Sequence, residues 1–269
     1  MSRVKLDGGR VVVTGAGSGI GAATALRFAT TGSNVVAVDI DPDSAHATAD
    51  ACNAAGGIAE ARTCDVADAG AVEALAGEIE ASLGPVDVIV NNAGVGVAGP
   101  FLDNSLEDWE WLRSINLDGV VSGCRAFGGP MVERGRGHVI NIASGAGYIA
   151  NRNMAAYCAT KSAVIMLSQC LRADWASRGV GVSVICPGVI KTPIATRTRM
   201  VGSMEGKQEA AMRAFRFGHS PELVAKAIER AVEKNHEVVP VGIESALAYR
   251  LLRFAPSPLQ GMVARAQPL

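Results

Sequence analysis

The sequence predicts an α/β fold, a single-domain, doubly wound parallel sheet of about seven strands with helices on both faces. Three observations carry that prediction. Short, apolar, β-rich runs recur along the chain, and alanine-rich helical stretches separate them. The 49% hydrophobic residues, 31 glycines and only 19% charged residues describe buried strands joined by tight glycine turns. Strict alternation of strand and helix implies right-handed crossovers, and therefore a parallel sheet covered on both faces.

The runs follow one another in order. RVVVTG at 10–15 opens the series, then NVVAVDI at 34–40 and IAEARTCDV at 58–66. VDVIVNNAG at 86–94 and HVINIAS at 138–144 form the middle, and GVSVICPG at 181–188 and HEVVPVG at 236–242 close it. Each reads as a strand buried on both faces. Helix starts are marked by Ser105-x-x-Asp108, a capping box, and by Ser220-Pro221-Glu222, a cap residue followed by proline at the first helical position. No linker or internal repeat divides the chain, so residues 1–269 read as one domain, with a substrate lid at about 190–219 and a C-terminal extension at about 243–269.

Composition narrows the function classes. A net charge of −1 with no basic block lacks the electrostatic footprint of a nucleic-acid binder, which leaves small molecules as partners. Cys52, Cys64, Cys124, Cys158, Cys170 and Cys186 form no C-x-x-C and sit in apolar segments, the pattern of packed, reduced thiols. The histidines are scattered and predict no metal site. MSRVKLDGGRVVVTG has no apolar segment of secretory length, and no run is long enough to span a bilayer. The expectation is a soluble, cytoplasmic protein.

In doubly wound sheets ligands bind outside the carboxyl ends of the strands. After the first strand stands TGAGSGIGAATALRFA, with Thr14, Gly15, Gly19 and Gly21 in the spacing T-G-x-x-x-G-x-G. Glycines let the backbone turn sharply and approach a pyrophosphate, whose charge then rests on the helix N-terminus, as in a Rossmann fold. The candidate residues there are Gly15, Ser18, Gly19 and Ile20. The common G-x-G-x-x-G is not met from Gly15, whose third place falls on Ile20, and from Gly17 it is met only in the variant ending at Ala22. A tight strand-to-helix turn would use the same glycines.

Asp39 ends the second strand, where a dinucleotide fold places the acid that accepts the adenosine ribose hydroxyls. No arginine or lysine stands in the glycine turn or in DIDPDS to neutralise a 2′-phosphate, so NAD is favoured over NADP. The alternative is that Asp39 begins a turn with Asp41 and Pro42. Asp65 and Val66 suit the adenine edge, Asn92, Ala93 and Gly94 the second ribose, and Pro187, Gly188, Val189 and Thr192 the nicotinamide end.

Tyr157 and Lys161 lie four positions apart on one helix face. A free phenol titrates near 10, too high for efficient acid–base work at neutral pH. A positive charge about 4 Å away, at an effective dielectric near 20, favours the phenolate by roughly 4 kcal/mol, about 3 pK units before desolvation opposes it. The expectation is a phenol poised near neutrality.

Ser144 ends the fifth strand and Asn116 lies in SINLDG within the preceding helix. In their order along the chain, T-G-x-x-x-G-x-G, N-N-A-G, Asn116, Ser144, Y-x-x-x-K and Pro187-Gly188 resemble the short-chain dehydrogenase/reductase (SDR) family over residues 8 to about 240. The resemblance implies that Ser144 holds the substrate oxygen and that Tyr157 is the acid/base. It assigns Lys161 to lowering the tyrosine pKa and binding the nicotinamide ribose, and Asn116 to supporting a proton relay. It also implies a homotetramer or homodimer, with the helices after the fourth and fifth strands as contacts.

The lid carries Met200, Met204, Met212, Phe215 and Phe217, suited to covering an apolar ligand or to packing the lid down. Lys191, Arg197, Arg199, Lys207, Arg213 and Arg216 outnumber Glu205 and Glu209 there, which can steer an acidic handle or form a solvated face. The tail mixes Tyr249, Leu251, Leu252 and Phe254 with Arg250 and Arg253, fitting a helix over the pocket, a subunit contact or a membrane surface, in that order. Together these readings describe an NAD-dependent oxidoreductase of a fairly hydrophobic secondary alcohol or ketone. The alternatives are a 3-oxoacyl-thioester reductase and a non-catalytic dinucleotide-binding regulator.

Overall fold

The computed structural model describes residues 4–251, 254–256, 259 and 262. In chain order its elements are β1 (Arg10–Thr14), α1 (Gly19–Thr30), β2 (Asn34–Asp39), α2 (Pro42–Ala54), β3 (Ile58–Thr63), α3 (Ala69–Leu83) and β4 (Val88–Asn91). Then come β5 (Gly96–Ala98), α4 (Leu106–Arg113), α5 (Gly119–Arg134), β6 (Gly137–Ile142), α6 (Ala155–Trp175), β7 (Val180–Pro187) and β8 (Thr198–Met200). The chain continues through α7 (Gln208–Phe215), α8 (Pro221–Lys234), β9 (Val238–Val241) and α9 (Ile243–Arg250).

Seven of these strands form one parallel sheet in the order β3-β2-β1-β4-β6-β7-β9. This is the doubly wound, single-domain Rossmann-type fold that the strand–helix alternation predicts. Strand side chains alternate between the faces, so Val12 joins Val36, Ile89 and Val139 against Ile79, Phe127 and Val164 of α3, α5 and α6. Val11 and Val13 join Val35, Val88 and Ile140 on the other face, against Phe28 of α1 and Val224 and Ile228 of α8. Chain order reverses between β1 and β4, and that switch point opens a crevice at the carboxyl ends of the strands.

Local departures from the sequence reading have physical reasons. The third strand stops at Thr63, because the Asp65 carboxylate accepts the Ala67 amide at 2.9 Å and turns the chain. A second, two-stranded parallel sheet pairs β5 with β8; three residues per strand are too few to show a period. Ser105 and Asp108 form their reciprocal box, whereas Ser220 occupies the cap position of α8 without a side-chain cap bond. Cys158 is half-buried and Cys170 is exposed, so these two are not core thiols; the other four cysteines are buried. No helix among the described residues is long and apolar enough to cross a membrane.

Candidate active site

The glycine turn owes its shape to contacts that admit no side chain. Gly15 and Gly19 have φ of +62° and +55°. A Cβ on Gly21 would fall 2.0 Å from the Gly15 carbonyl oxygen, and one on Gly15 would fall 2.8 Å from Ala93 Cα. The turn is thus wedged against the loop after β4. Thr14 Oγ1 accepts the amides of Asn92 at 3.0 Å and Ala93 at 3.2 Å, while Asn92 Nδ2 donates to the Thr14 and Gly15 carbonyls at 2.8 and 3.1 Å. Two separate motifs, T-G and N-A-G, therefore build one cradle. Ser18 stands at the N-cap of α1 and makes no side-chain cap bond, and no acid occupies the first turn. Close-packed glycines facing a helix start fit a dinucleotide pyrophosphate.

Asp39 is 3% exposed. Its Oδ2 accepts the Gly17 amide at 2.8 Å and its Oδ1 the Asp41 amide at 3.1 Å, so it braces the glycine turn from behind. The neighbouring Asp41 carboxyl is held below its ordinary range, first by the Ser44 hydroxyl and also by the charge of Arg197 in the lid.

Helix α6 presents Tyr157 and Lys161 on the opposite wall. Asn153, at φ +66°, turns the chain into that helix. Ser144 stands in extended conformation at the end of β6, its hydroxyl accepting the Ala146 amide at 3.2 Å, and it lines the same cavity as Tyr157. Lys161 is 4% exposed; its Nζ donates to the Ile142 carbonyl at 3.0 Å and lies 5.8 Å from the centroid of the Tyr157 ring. Asn116 is fully buried in a π-helical turn (Ser114–Asp118) between α4 and α5, where its carboxamide pairs with both the N–H and the C=O of Val95 at 2.9 Å. Gly94 separates the two side chains, and a Cβ there would stand 3.2 Å from Asn116 Oδ1 and 3.6 Å from Lys161 Nζ.

The electrostatics correct one expectation. Burial pushes the Tyr157 phenol up to about 12, with the Ser144 hydrogen bond opposing, and lowers the Lys161 ammonium to about 8. The lysine charge does not bring this phenol to neutrality. Desolvation acts on both groups, and the ammonium spends its hydrogen bond on a neutral carbonyl rather than on the phenol.

These walls enclose a cavity of about 600 Å³. Gly15, Ser18, Gly19, Ile20, Asn92, Ala93, Gly94, Ser144, Tyr157, Lys161, Pro187, Gly188, Val189 and Thr192 all line it. Asp39 lies behind the turn, Asn116 behind Val95, Val66 in a separate recess with Ala93, and exposed Asp65 in its own turn.

Comparison with known proteins decides the family. The sequence model of the short chain dehydrogenase family matches residues 10–201. The chain belongs to that family. It is 45% identical over 258 residues to the probable oxidoreductase EphD of Mycobacterium tuberculosis, covering 93% of this chain but only 44% of that relative's length. It is 38% identical over 228 residues to the D-threitol dehydrogenase of Mycolicibacterium smegmatis, covering 83% of this chain and 86% of that enzyme. A solved short chain dehydrogenase/reductase from Burkholderia phymatum, in complex with NAD, superposes with a TM-score of 0.88 at 29% identity over 100% of this chain and 99% of its own. Other solved relatives hold NADP.

The far end of this short-chain dehydrogenase cavity is apolar, with Ile149, Met154, Met200, Met204 and Phe215 among its walls. Met212 and Phe217 are not among them, and Phe217 is 92% exposed. Of the lid cations only Arg197 lines the cavity, while Arg199 pairs with Asp108 at 3.0 Å and stacks 3.8 Å from the Trp111 ring centroid. Among the described residues the apolar tail side chains Tyr249, Leu251 and Phe254 are not in the cavity wall. Leu251 is 63% and Phe254 80% exposed, Tyr249 packs on Tyr148, and Leu252 and Arg253 lie outside the described residues. Instead α9 contributes Glu244 and Ser245, which sequence reasoning missed because no motif marks them.

Proposed function

We propose that this chain is an NAD-dependent oxidoreductase interconverting a fairly hydrophobic secondary alcohol and its ketone. The observation that carries this reading is that Ser144, Tyr157 and Lys161 line one cavity with the glycine cradle and the apolar side chains of the lid. When bound, the dinucleotide supplies or accepts the hydride. Gly15, Ser18, Gly19 and Ile20 hold its pyrophosphate, Asn92, Ala93, Gly94 and Lys161 its second ribose, and Pro187, Gly188, Val189 and Thr192 its nicotinamide end. Asp39 takes the adenosine ribose hydroxyls, and Asp65 and Val66 border the adenine.

Ser144 holds the substrate oxygen and Tyr157 exchanges a proton with it. A phenol pushed up to about 12 is well protonated at neutral pH, which suits donation to the oxygen of a ketone being reduced. Lys161, close to its own titration at about 8, stands beside it as a buried proton store, with Asn116 behind. The segment 190–219 acts as the lid of a single domain, and the enzyme is a cytoplasmic homotetramer or homodimer.

Reduction of a 3-oxoacyl thioester is the second reading; Arg197 at the cavity wall favours it as a seat for an acidic handle, and Asp39 opposes the NADPH such reductases mostly use. A polyol, as the name of the D-threitol dehydrogenase suggests, finds few polar partners at the apolar end. A screen of turnover with NAD and NADP over steroid, terpenoid, acyl and polyol alcohols tests the proposal. Turnover confined to polyols would overturn its substrate class. Tight NADH binding without any turnover would favour a regulator.

A further inference from the structure

Glu244, in the first turn of α9, lies beyond the stretch matched by the family and reaches back to the loop after β7. Its Oε1 accepts the Val189 amide at 2.8 Å and its Oε2 meets His219 Nε2 at 3.0 Å. The carboxylate lies directly over the loop, since a Cβ on Gly188 would fall 2.0 Å from Glu244 Oε1 and would displace it. His219 completes the grip through its backbone, donating to the Val189 carbonyl at 2.9 Å and accepting the Lys191 amide at 2.8 Å. Desolvation opposes the charge on Glu244, yet its own amide, His219 and the Val189 amide together hold its carboxyl below the ordinary range.

The pattern leaves one peptide group over. Both polar groups of Val189 and the amide of Lys191 are engaged by Glu244 and His219, whereas the amide between them, that of Ile190, has no hydrogen-bond partner among the described residues. Ile190 lines the cavity and is 3% exposed. A buried unpaired N–H is costly unless a ligand completes it.

We propose that Glu244, braced by His219, is a positioning residue that fixes the Val189 peptide so that the Ile190 amide stays presented to the nicotinamide end of the dinucleotide. This rests on the dinucleotide reading above. The Ile190 amide is a neutral donor, and one such hydrogen bond to a ligand is worth up to about tenfold in affinity.

The test compares NADH with ADP-ribose, which shares the adenosine and pyrophosphate but lacks nicotinamide, by fluorescence titration and calorimetry. Glu244→Ala should weaken NADH about tenfold and leave ADP-ribose within about twofold. Glu244→Gln keeps an acceptor for Val189 and should return NADH to within about threefold of wild type. Unchanged NADH affinity in Glu244→Ala overturns the inference alone. Equal loss of both ligands overturns it too, because the carboxylate would then support the fold rather than the loop. A wild-type chain that binds neither ligand would sink the dinucleotide reading first and this inference with it.

Discussion

The two ends of the parallel sheet bury titratable groups in different ways. At the amino ends, His138 is 2% exposed and burial lowers its imidazole to about 3, with the charge of Arg172 adding to the effect. The Ser183 hydroxyl donates its proton to the His236 carbonyl, so His138 Nε2 must be the donor in the 2.8 Å contact to Ser183 Oγ. At the carboxyl ends, Tyr157 and Lys161 are displaced in the same sense, toward their neutral forms, but they border a cavity. His138 departs further from its ordinary value than Lys161 does, yet no ligand can reach it. A perturbed group marks a site only where space and further polar groups converge on it.

The comparison breaks most directly at Tyr157. Tyr157→Phe keeps the ring and removes the proton, so turnover should fall by roughly 10²- to 10⁴-fold while the NADH dissociation constant stays put. Near-full activity in that variant would reduce the carboxyl-end pair to a structural one, the equal of His138. Lys161→Ala should lower both turnover and cofactor affinity, a joint loss that single-turnover kinetics and NADH titration separate.

Next in size is cofactor choice. Asp39 should favour NAD over NADP by at least about 10²-fold in kcat/KM, through ribose hydrogen bonds and repulsion of a 2′-phosphate. Asp39→Ala should narrow that ratio mainly by weakening NAD, and a basic residue at Ile40 as well should shift it toward NADP. The structure sharpens the test, because Arg197 lines the same cavity and its positive charge contributes to lowering the Asp41 carboxyl. Equal or better kcat/KM with NADP in the wild type would mean that Arg197 outweighs Asp39.

How much of this was legible in the sequence follows from what each feature depends on. The glycine cradle is fixed by backbone geometry that only glycine satisfies, and Gly15, Gly19 and Gly21 announce it. Thr14 and Asn92 are readable for the same reason, since their partners are main-chain groups at strand ends. The substrate end depends on side chains brought together from β5, β8, the lid and α9, and no local pattern encodes that meeting. Phe217 fits the lid's apolar composition yet points to solvent, and Glu244 stands in a tail whose composition gives no sign that its carboxylate turns back to the loop after β7. The electrostatics are only half legible, because the charge of Lys161 can be read from sequence, whereas the desolvation that outweighs it cannot.

At the amino ends the expected signature is in stability. His138 takes up a proton near 6.5 when unfolded and only near 3 when folded, so the stability it contributes is fully present above 6.5 and is lost as pH falls toward 3. Its share of the loss between pH 6 and 5 should be about 1 kcal/mol. Urea unfolding of the wild type and of His138→Gln at both pH values isolates that share. Parallel pH dependence in the two proteins would show that the amino-end network is open to water, and the contrast between the ends would collapse.

The smallest effect concerns how firmly the carboxyl end is closed. β8 pairs with β5, and Arg199 adds an ion pair to Asp108 and a stack on Trp111, so the lid is tied to α4 from outside the cavity. Arg199 is 45% exposed on its side chain, which limits the ion pair to a few tenths of a kcal/mol and the ring contact to about 0.5–1 kcal/mol. If that energy holds the lid down, Arg199→Ala should raise the substrate KM by about two- to fivefold. The NADH dissociation constant should not move, because the glycine cradle is braced by β1 and β4 instead. Arg199→Lys should recover little, since an ammonium lacks the planar face that stacks on the indole. A change in NADH affinity as large as the change in KM would mean that lid and cradle move as one body, and that the cavity's two ends are a single mechanical unit.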